Sequence, residues 1–156
     1  MIHEATKCLN EKGKQIIGWT EILEGGLVPG ATLMSWIGES GGIEAAHQHH
    51  DVIMTPNTYL YFDYYQSKQV EDEPLAIGGY LPIEKTYSYE PMPKELNKEE
   101  QQYIKGVQAN LWTEYIPSFS QVQYMTLPRM GALAEVQWSD PSRNCLLYTS
   151  PSPRDR

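Results

Sequence analysis

Short apolar runs recur along the chain, each closed by glycine, proline or a charged step. Each has the length of a buried strand rather than of a helix. Gln15 to Trp19, Ala31 to Trp36, Asp51 to Pro56 and Val107 to Trp112 predict four strands in this way. Between them the pattern changes. Leu9 to Lys14 is polar and carries Gly13, which marks a helix end. Gly25, Gly26, Pro29 and Gly30 read as loop, and Gly41-Gly42 as a break before a short helix over Ile43 to Gln48. A long acidic, proline-containing loop follows from Val70 to Pro93. Its length favours a functional role. Asn97 with Glu100 has the spacing of a capping box and predicts a helix to Lys105, which Gly106 would end. Ser120 with Gln123 predicts a second helical stretch to Trp138, restarted at Pro128. Val122, Met125, Met130, Leu133, Ala134 and Val136 are its apolar positions, and Met125, Met130, Leu133, Val136 and Trp138 are the expected core.

Strand and helix therefore alternate, and the chemistry-bearing residues come just after strands. That order predicts an α/β fold with a parallel sheet, whose ligands gather at the carboxyl ends of the strands. Four such units are half of an eight-stranded β/α barrel, which takes ~250 residues when complete; this chain has 156. An open doubly wound sheet is the alternative, but no GxGxxG or P-loop turn is present to support it.

The chemistry lies in repeated knots of aromatic and acid. Gly18-Trp19-Thr20-Glu21, Ser35-Trp36-Ile37-Gly38-Glu39 and Leu111-Trp112-Thr113-Glu114 each end an apolar run, and Tyr61-Phe62-Asp63 is a fourth. A pyranose presents C–H-rich faces that stack on indole, and hydroxyls that donate to carboxylates. One strand-end Trp alone is more often core; three with an acid within three residues point to a sugar. Tyr59, Tyr61, Tyr64 and Tyr65 are not separable by pattern alone. Asp63 and Glu114 fit ion pairs or helix N-terminal acids equally well.

Charge narrows the partners. Twelve basic against twenty acidic residues give −8, which argues against a nucleic-acid partner. No run approaches the ~18 apolar residues of a membrane span. Cys8 and Cys145 have no CxxC or metal-type spacing. His47, His49, His50 and Asp51 suggest a metal, but they lack a well-spaced third ligand and read better as a solvated helix end. Asp72-Glu73, the one Asp-Glu step, lies in the acidic loop and reads as solvated charge. No cofactor is expected. Residues 145–156, with two Ser-Pro steps and no periodicity, read as a disordered or non-native tail.

The segments Gly18 to Leu27, Met34 to Gly38, Met54 to Pro56, Tyr59 to Gln66, Gly106 to Glu114 and Pro128 to Glu135 resemble, in order and spacing, the β-N-acetylhexosaminidases of glycoside hydrolase family 20. The resemblance implies that residues 1–144 are the C-terminal portion of a catalytic (β/α)8 TIM barrel, roughly strands five to eight. It implies removal of terminal N-acetylglucosamine or N-acetylgalactosamine with retention, the substrate's own acetamido group acting as nucleophile. Trp19, Trp36 and Trp112 would then wall the acetamido pocket and stack on the ring. Tyr61 would donate to the acetamido oxygen. Asp63 and Glu114 would accept the O6 and O4 hydroxyls. In the family the orienting Asp and the acid Glu follow a His-x-Gly-Gly run, which would precede Met1, so this chain by itself is expected to be inactive. Thr20 and Ile37 stand where many members carry Asp and Arg.

The expected partner is an aminosugar-terminated oligosaccharide or glycoconjugate. The family implies a secreted, periplasmic or lysosomal location, and the sequence gives no oligomeric state. A non-catalytic carbohydrate-binding module using the same aromatics is the alternative reading. A hydrolase of another barrel family would have to draw its carboxylates from Asp63 and Glu114.

Overall fold

The four strands form one parallel sheet in chain order, β1 (Ile17–Trp19), β2 (Thr32–Ser35), β3 (Val52–Met54) and β4 (Ile104–Val107). This is a computed structural model, and it describes residues 2–139; the tail expected at 145–156 lies outside them. Sequential order without reversal is the winding of a β/α barrel. A doubly wound sheet reverses its order at a switch point. The fold is thus α/β, a partial barrel of four parallel strands.

The helices are α1 (Ile2–Glu11), α2 (Ser40–His47), α3 (Asn57–Leu60), α4 (Ile83–Tyr87), α5 (Phe119–Thr126) and α6 (Arg129–Trp138), with short 3₁₀ turns after β1, in the acidic loop and before β4. The chain divides into two compact units. Met1–Tyr61 with Glu90–Asn110 holds the sheet; Phe62–Tyr89 with the chain from Leu111 onward holds α4, α5 and α6.

In the first unit Leu33, Val52 and Met54 are fully buried beside Ala45 and Ala46 of α2. The sequence reading of Gly41-Gly42 as a break is corrected here, because both lie inside α2. A Cβ on Gly42 would meet Met54 Sδ at 2.6 Å and Ser35 Cβ at 3.1 Å. The glycines cost helix propensity, yet they let α2 lie against β2 and β3. Ser35, fully buried, accepts from the Gly42 N–H at 2.9 Å and donates to the Gly38 carbonyl at 3.0 Å. It staples the end of β2 to the start of α2.

The region before β4 departs from the expectation. The capping box exists: Asn97 Oδ1 accepts from the N–H groups of Glu99 and Glu100, and Glu100 Oε2 accepts from the Asn97 N–H at 2.8 Å. It opens only a 3₁₀ turn, Glu100–Tyr103, and β4 starts directly at Ile104. Gly106 does not end a helix. It sits in the strand at φ 151°, where the pairing jumps from Val52↔Ile104 to Ile53↔Gly106. Lys105 is the extra residue of this β-bulge.

In the second unit α5 is capped by Ser118, whose Oγ accepts from the Gln121 N–H at 3.3 Å, two residues ahead of the expected Ser120. The acidic loop contains α4, which the sequence pattern did not predict. Pro128 restarts the chain into α6 as expected. The expected core of this stretch is right at Met125 and Leu133, half-buried at Val136, and wrong at Met130 and Trp138, which are exposed, Trp138 to 88%. The buried face of α6 is Arg129, Ala132 and Leu133, at i, i+3 and i+4. An arginine thus takes part in the buried face of α6.

Candidate functional site

The first unit carries Trp19, Trp36 and Tyr61 at the carboxyl ends of its strands. Trp19 is the last residue of β1, Trp36 follows β2, and Tyr61 follows α3, beyond β3. The backbone holds these ends together. The Thr20 hydroxyl donates to the Met34 carbonyl at 3.3 Å and accepts from the Trp36 N–H at 3.2 Å, so the residue after β1 fixes the residue after β2. The Trp36 indole N–H donates to both oxygens of Glu21, at 3.0 and 3.2 Å. Glu21 is beside Trp19 in sequence, but its carboxylate serves Trp36. The Trp36 and Tyr61 rings stack, their centroids 6.2 Å apart at 24°. Tyr61 is buried, and Trp19 and Trp36 are half-buried.

Asn110 anchors the far side of this unit. Its backbone N–H donates to the Leu60 carbonyl at 2.9 Å and its side-chain amide to the Thr55 hydroxyl at 2.6 Å. Gln108 donates to the Asn110 Oδ1 at 2.8 Å. Asn110 and Tyr61 form an isolated parallel bridge. The segments after β3 and β4 are therefore tied at Tyr61, a role the sequence reading did not give Asn110.

The second unit carries Asp63, Trp112 and Glu114. Asp63 is 5% exposed, and its Oδ1 has no hydrogen-bond partner among the described residues. Burial pushes its carboxyl above the ordinary carboxylate value, and the charge of Glu114 adds to this. Backbone N–H groups of Asp63 and Trp112, and the positive charge of Arg129, pull the other way. A buried carboxylate oxygen without a donor is costly, so Asp63 Oδ1 is an open acceptor position. Trp112, 45% exposed, and Glu114 are open to solvent, and Gln121 holds the loop after them by donating to the Tyr115 carbonyl at 3.0 Å.

The other candidates have structural employment. Glu73 accepts from the Tyr124 hydroxyl at 2.8 Å, which straps the acidic loop to α5; Asp72 is exposed. His47 Nδ1 lies 2.8 Å from Glu100 Oε1, and His50 Nδ1 lies 3.1 Å from the Ala31 carbonyl. Among the described residues no cluster of three metal-ligating side chains exists. Cys8 is exposed; Cys145 lies outside the described residues. Ile37 is 53% exposed.

A parallel sheet in chain order, with aromatic residues and carboxylates after its strands, defines a segment of a β/α barrel. Residues 1–141 match the glycosyl hydrolase family 20 catalytic domain, and the chain belongs to that family. It is 52% identical over 139 residues to a beta-hexosaminidase of Porphyromonas gingivalis, covering 88% of this chain and 18% of that protein. It is 32% identical over 136 residues to a beta-hexosaminidase of Vibrio furnissii, covering 86% and 22%. The structure of the GH20 exo beta-N-acetylglucosaminidase from Vibrio harveyi in complex with N-acetylglucosamine matches with a TM-score of 0.77 at 32% identity, over 89% of this chain and 22% of that one. The chain thus spans about a fifth of the length of these relatives.

Proposed function

We propose that this chain is the sugar-holding portion of the barrel of an exo-acting β-N-acetylhexosaminidase that removes terminal, non-reducing N-acetylglucosamine or N-acetylgalactosamine. The reading takes residues 1–144 as the C-terminal part of the catalytic barrel. Its support is the family and the names its relatives carry. The observation that carries it is the stacked Trp36–Tyr61 pair, with the indole anchored by Glu21. Flat walls with a phenol hydroxyl suit a planar acetamido group.

In the substrate-assisted reaction the acetamido oxygen attacks the anomeric carbon while the glycosidic C–O bond breaks. The leaving oxygen takes a proton from a general acid, and water then opens the oxazolinium ion with overall retention. In this reading Trp19 and Trp36 confine the acetamido group, and Tyr61 donates to its oxygen and aims it at the anomeric carbon. Trp112 stacks on sugar C–H, and Asp63 and Glu114 accept hydroxyls as charge-assisted acceptors. None of these residues supplies the leaving-group proton. That proton belongs to an Asp-Glu pair after a His-x-Gly-Gly run, and no such run occurs in the 156 residues.

The test is hydrolysis of aryl β-glycosides by a full-length enzyme carrying this sequence. It is expected to cleave the N-acetylglucosaminide and to leave the glucoside, which lacks the nucleophile, untouched. The isolated chain is expected to cleave neither. Equal turnover of both glycosides would sink the acetamido role.

A further inference from the structure

Arg129 is the most deeply buried charge of the described residues, and the site chemistry does not use it directly. It is 0% exposed, at the first position of α6. Its guanidinium has five N–H donors, and all five are matched. Nη2 donates to the Phe62 carbonyl at 2.5 Å and to the Met125 carbonyl. Nη1 donates to the carbonyls of Tyr64 at 3.0 Å and Leu81 at 3.1 Å. Nε donates to the Met125 carbonyl at 3.2 Å. The group also lies 5.1 Å from the centre of the Phe62 ring.

Two of those carbonyls, Phe62 and Tyr64, flank Asp63. The backbone on both sides of the buried carboxylate is clamped by one rigid planar group. No donor is left over for Asp63 itself, so Arg129 reaches the carboxylate through its backbone and through its charge. Burial pulls the guanidinium down to about 10, with Asp63 and Glu73 holding it up, so it is still charged at neutral pH. Lysine has three donors on a single point and cannot reproduce this fork.

We propose that Arg129 is a positioning residue that sets the aim of Asp63 Oδ1, and so the recognition of one substrate hydroxyl. The inference rests on the hexosaminidase reading, in which Asp63 accepts that hydroxyl. A general packing role would weaken the enzyme toward all substrates alike. A positioning role through Asp63 weakens it only where the hydroxyl exists.

The experiment measures kcat/KM of the full-length enzyme on an aryl N-acetylglucosaminide and on its 4-deoxy and 6-deoxy analogues. Asp63→Asn first identifies the hydroxyl that Asp63 reads, as the analogue on which that change costs least. Arg129→Lys is then expected to lower kcat/KM about tenfold on the parent and no more than about twofold on that same analogue. In an Asp63→Asn background it should add little, since the two changes share one effect. These ratios compare substrates on one preparation, so a partly unfolded variant does not distort them. Should Arg129→Lys give no folded enzyme, an ester link between Tyr64 and Tyr65 weakens the Tyr64 carbonyl as acceptor and keeps every side chain. It should give the same hydroxyl-selective pattern in smaller measure. Equal losses on parent and both analogues overturn the positioning role. A wild-type enzyme that cleaves no N-acetylglucosaminide overturns the hexosaminidase reading instead, so the two failures are distinct.

Discussion

The indole N–H of Trp36 points at the carboxylate of Glu21, 3.0 Å from one oxygen and 3.2 Å from the other. With Tyr61 stacked on one side and Thr20 holding the Trp36 backbone, the ring has little freedom to turn. A flat side chain fixed along its edge and one face is a wall of defined position, which orientation of a reacting group requires.

Removing that edge contact leaves the ring and frees its rotation. Glu21→Ala is expected to lower kcat/KM of the full-length enzyme about tenfold on an N-acetylglucosaminide, with kcat carrying most of the loss. The bond is exposed, so thermal stability should move little. Glu21→Gln keeps an acceptor oxygen and should recover much of the activity. A glutamine variant as poor as the alanine variant would mean that the charge of Glu21, and not the aim of Trp36, is what matters.

Tyr61 is buried, and its assigned task is donation to the acetamido oxygen, which holds that oxygen in line with the anomeric carbon. Tyr61→Phe retains the ring, its stacking on Trp36 and its volume. It is expected to lower kcat by about 10²-fold with little change in KM, the size that follows when a reacting group loses its aim. Pre-steady-state and steady-state kinetics on an aryl N-acetylglucosaminide separate the two constants. A loss confined to KM would assign Tyr61 to ground-state binding.

Much of this was legible in the sequence. The apolar runs gave β1, β2 and β3 at nearly the right places because short buried parallel strands read as short apolar runs whatever surrounds them; β4 lies at Ile104–Val107 and shares only Val107 with the run expected at Val107 to Trp112. Trp19, Trp36 and Trp112 stand out through residue type and neighbours alone. Three features did not show, each because its cause is non-local. Gly41-Gly42 looks like a break until Met54 is seen beneath it. Gly106 looks like a helix stop because the bulge it serves depends on pairing with β3. Arg129 looks like a surface charge, since nothing local reveals that four carbonyls from three separate segments converge on it. The same blindness put Trp138 and Met130 in the core: the helical period was right, but an arginine holds the buried face.

Gly42 offers a test of how tightly α2 lies on the sheet. Gly42→Ala gains helix propensity, worth about 1 kcal/mol. Its new methyl meets Met54 Sδ at 2.6 Å and Val52 Cγ1 at 3.1 Å. Overpacking of that kind costs about 1–3 kcal/mol, so net destabilisation is expected by urea unfolding. Met54→Ala in the same molecule should make the glycine change less harmful, since the thioether is the nearest obstacle. A stabilised single variant would show that α2 shifts off the sheet freely.

The last prediction concerns pH and Asp63. Burial, its largest influence, raises the folded-state pKa above that of the unfolded chain. The folded protein therefore keeps this proton to higher pH than the unfolded chain does. Such a group contributes stability that is fully present below the unfolded value, near pH 3.9, and lost as pH rises through the folded value. Asp63→Asn deletes that dependence. The stability of the asparagine variant relative to wild type should rise with pH through this window and then level off. Urea midpoints of the two proteins, compared from about pH 3.5 to about pH 7, check it, since shared titrations cancel in the difference. The same substitution should weaken turnover at neutral pH, because an amide is a poorer acceptor for a hydroxyl than a carboxylate. Asp63 would then be a site where the charge that serves binding opposes folding. A pH-independent stability difference would show instead that Asp63 is solvated as freely in the folded enzyme as in the unfolded chain.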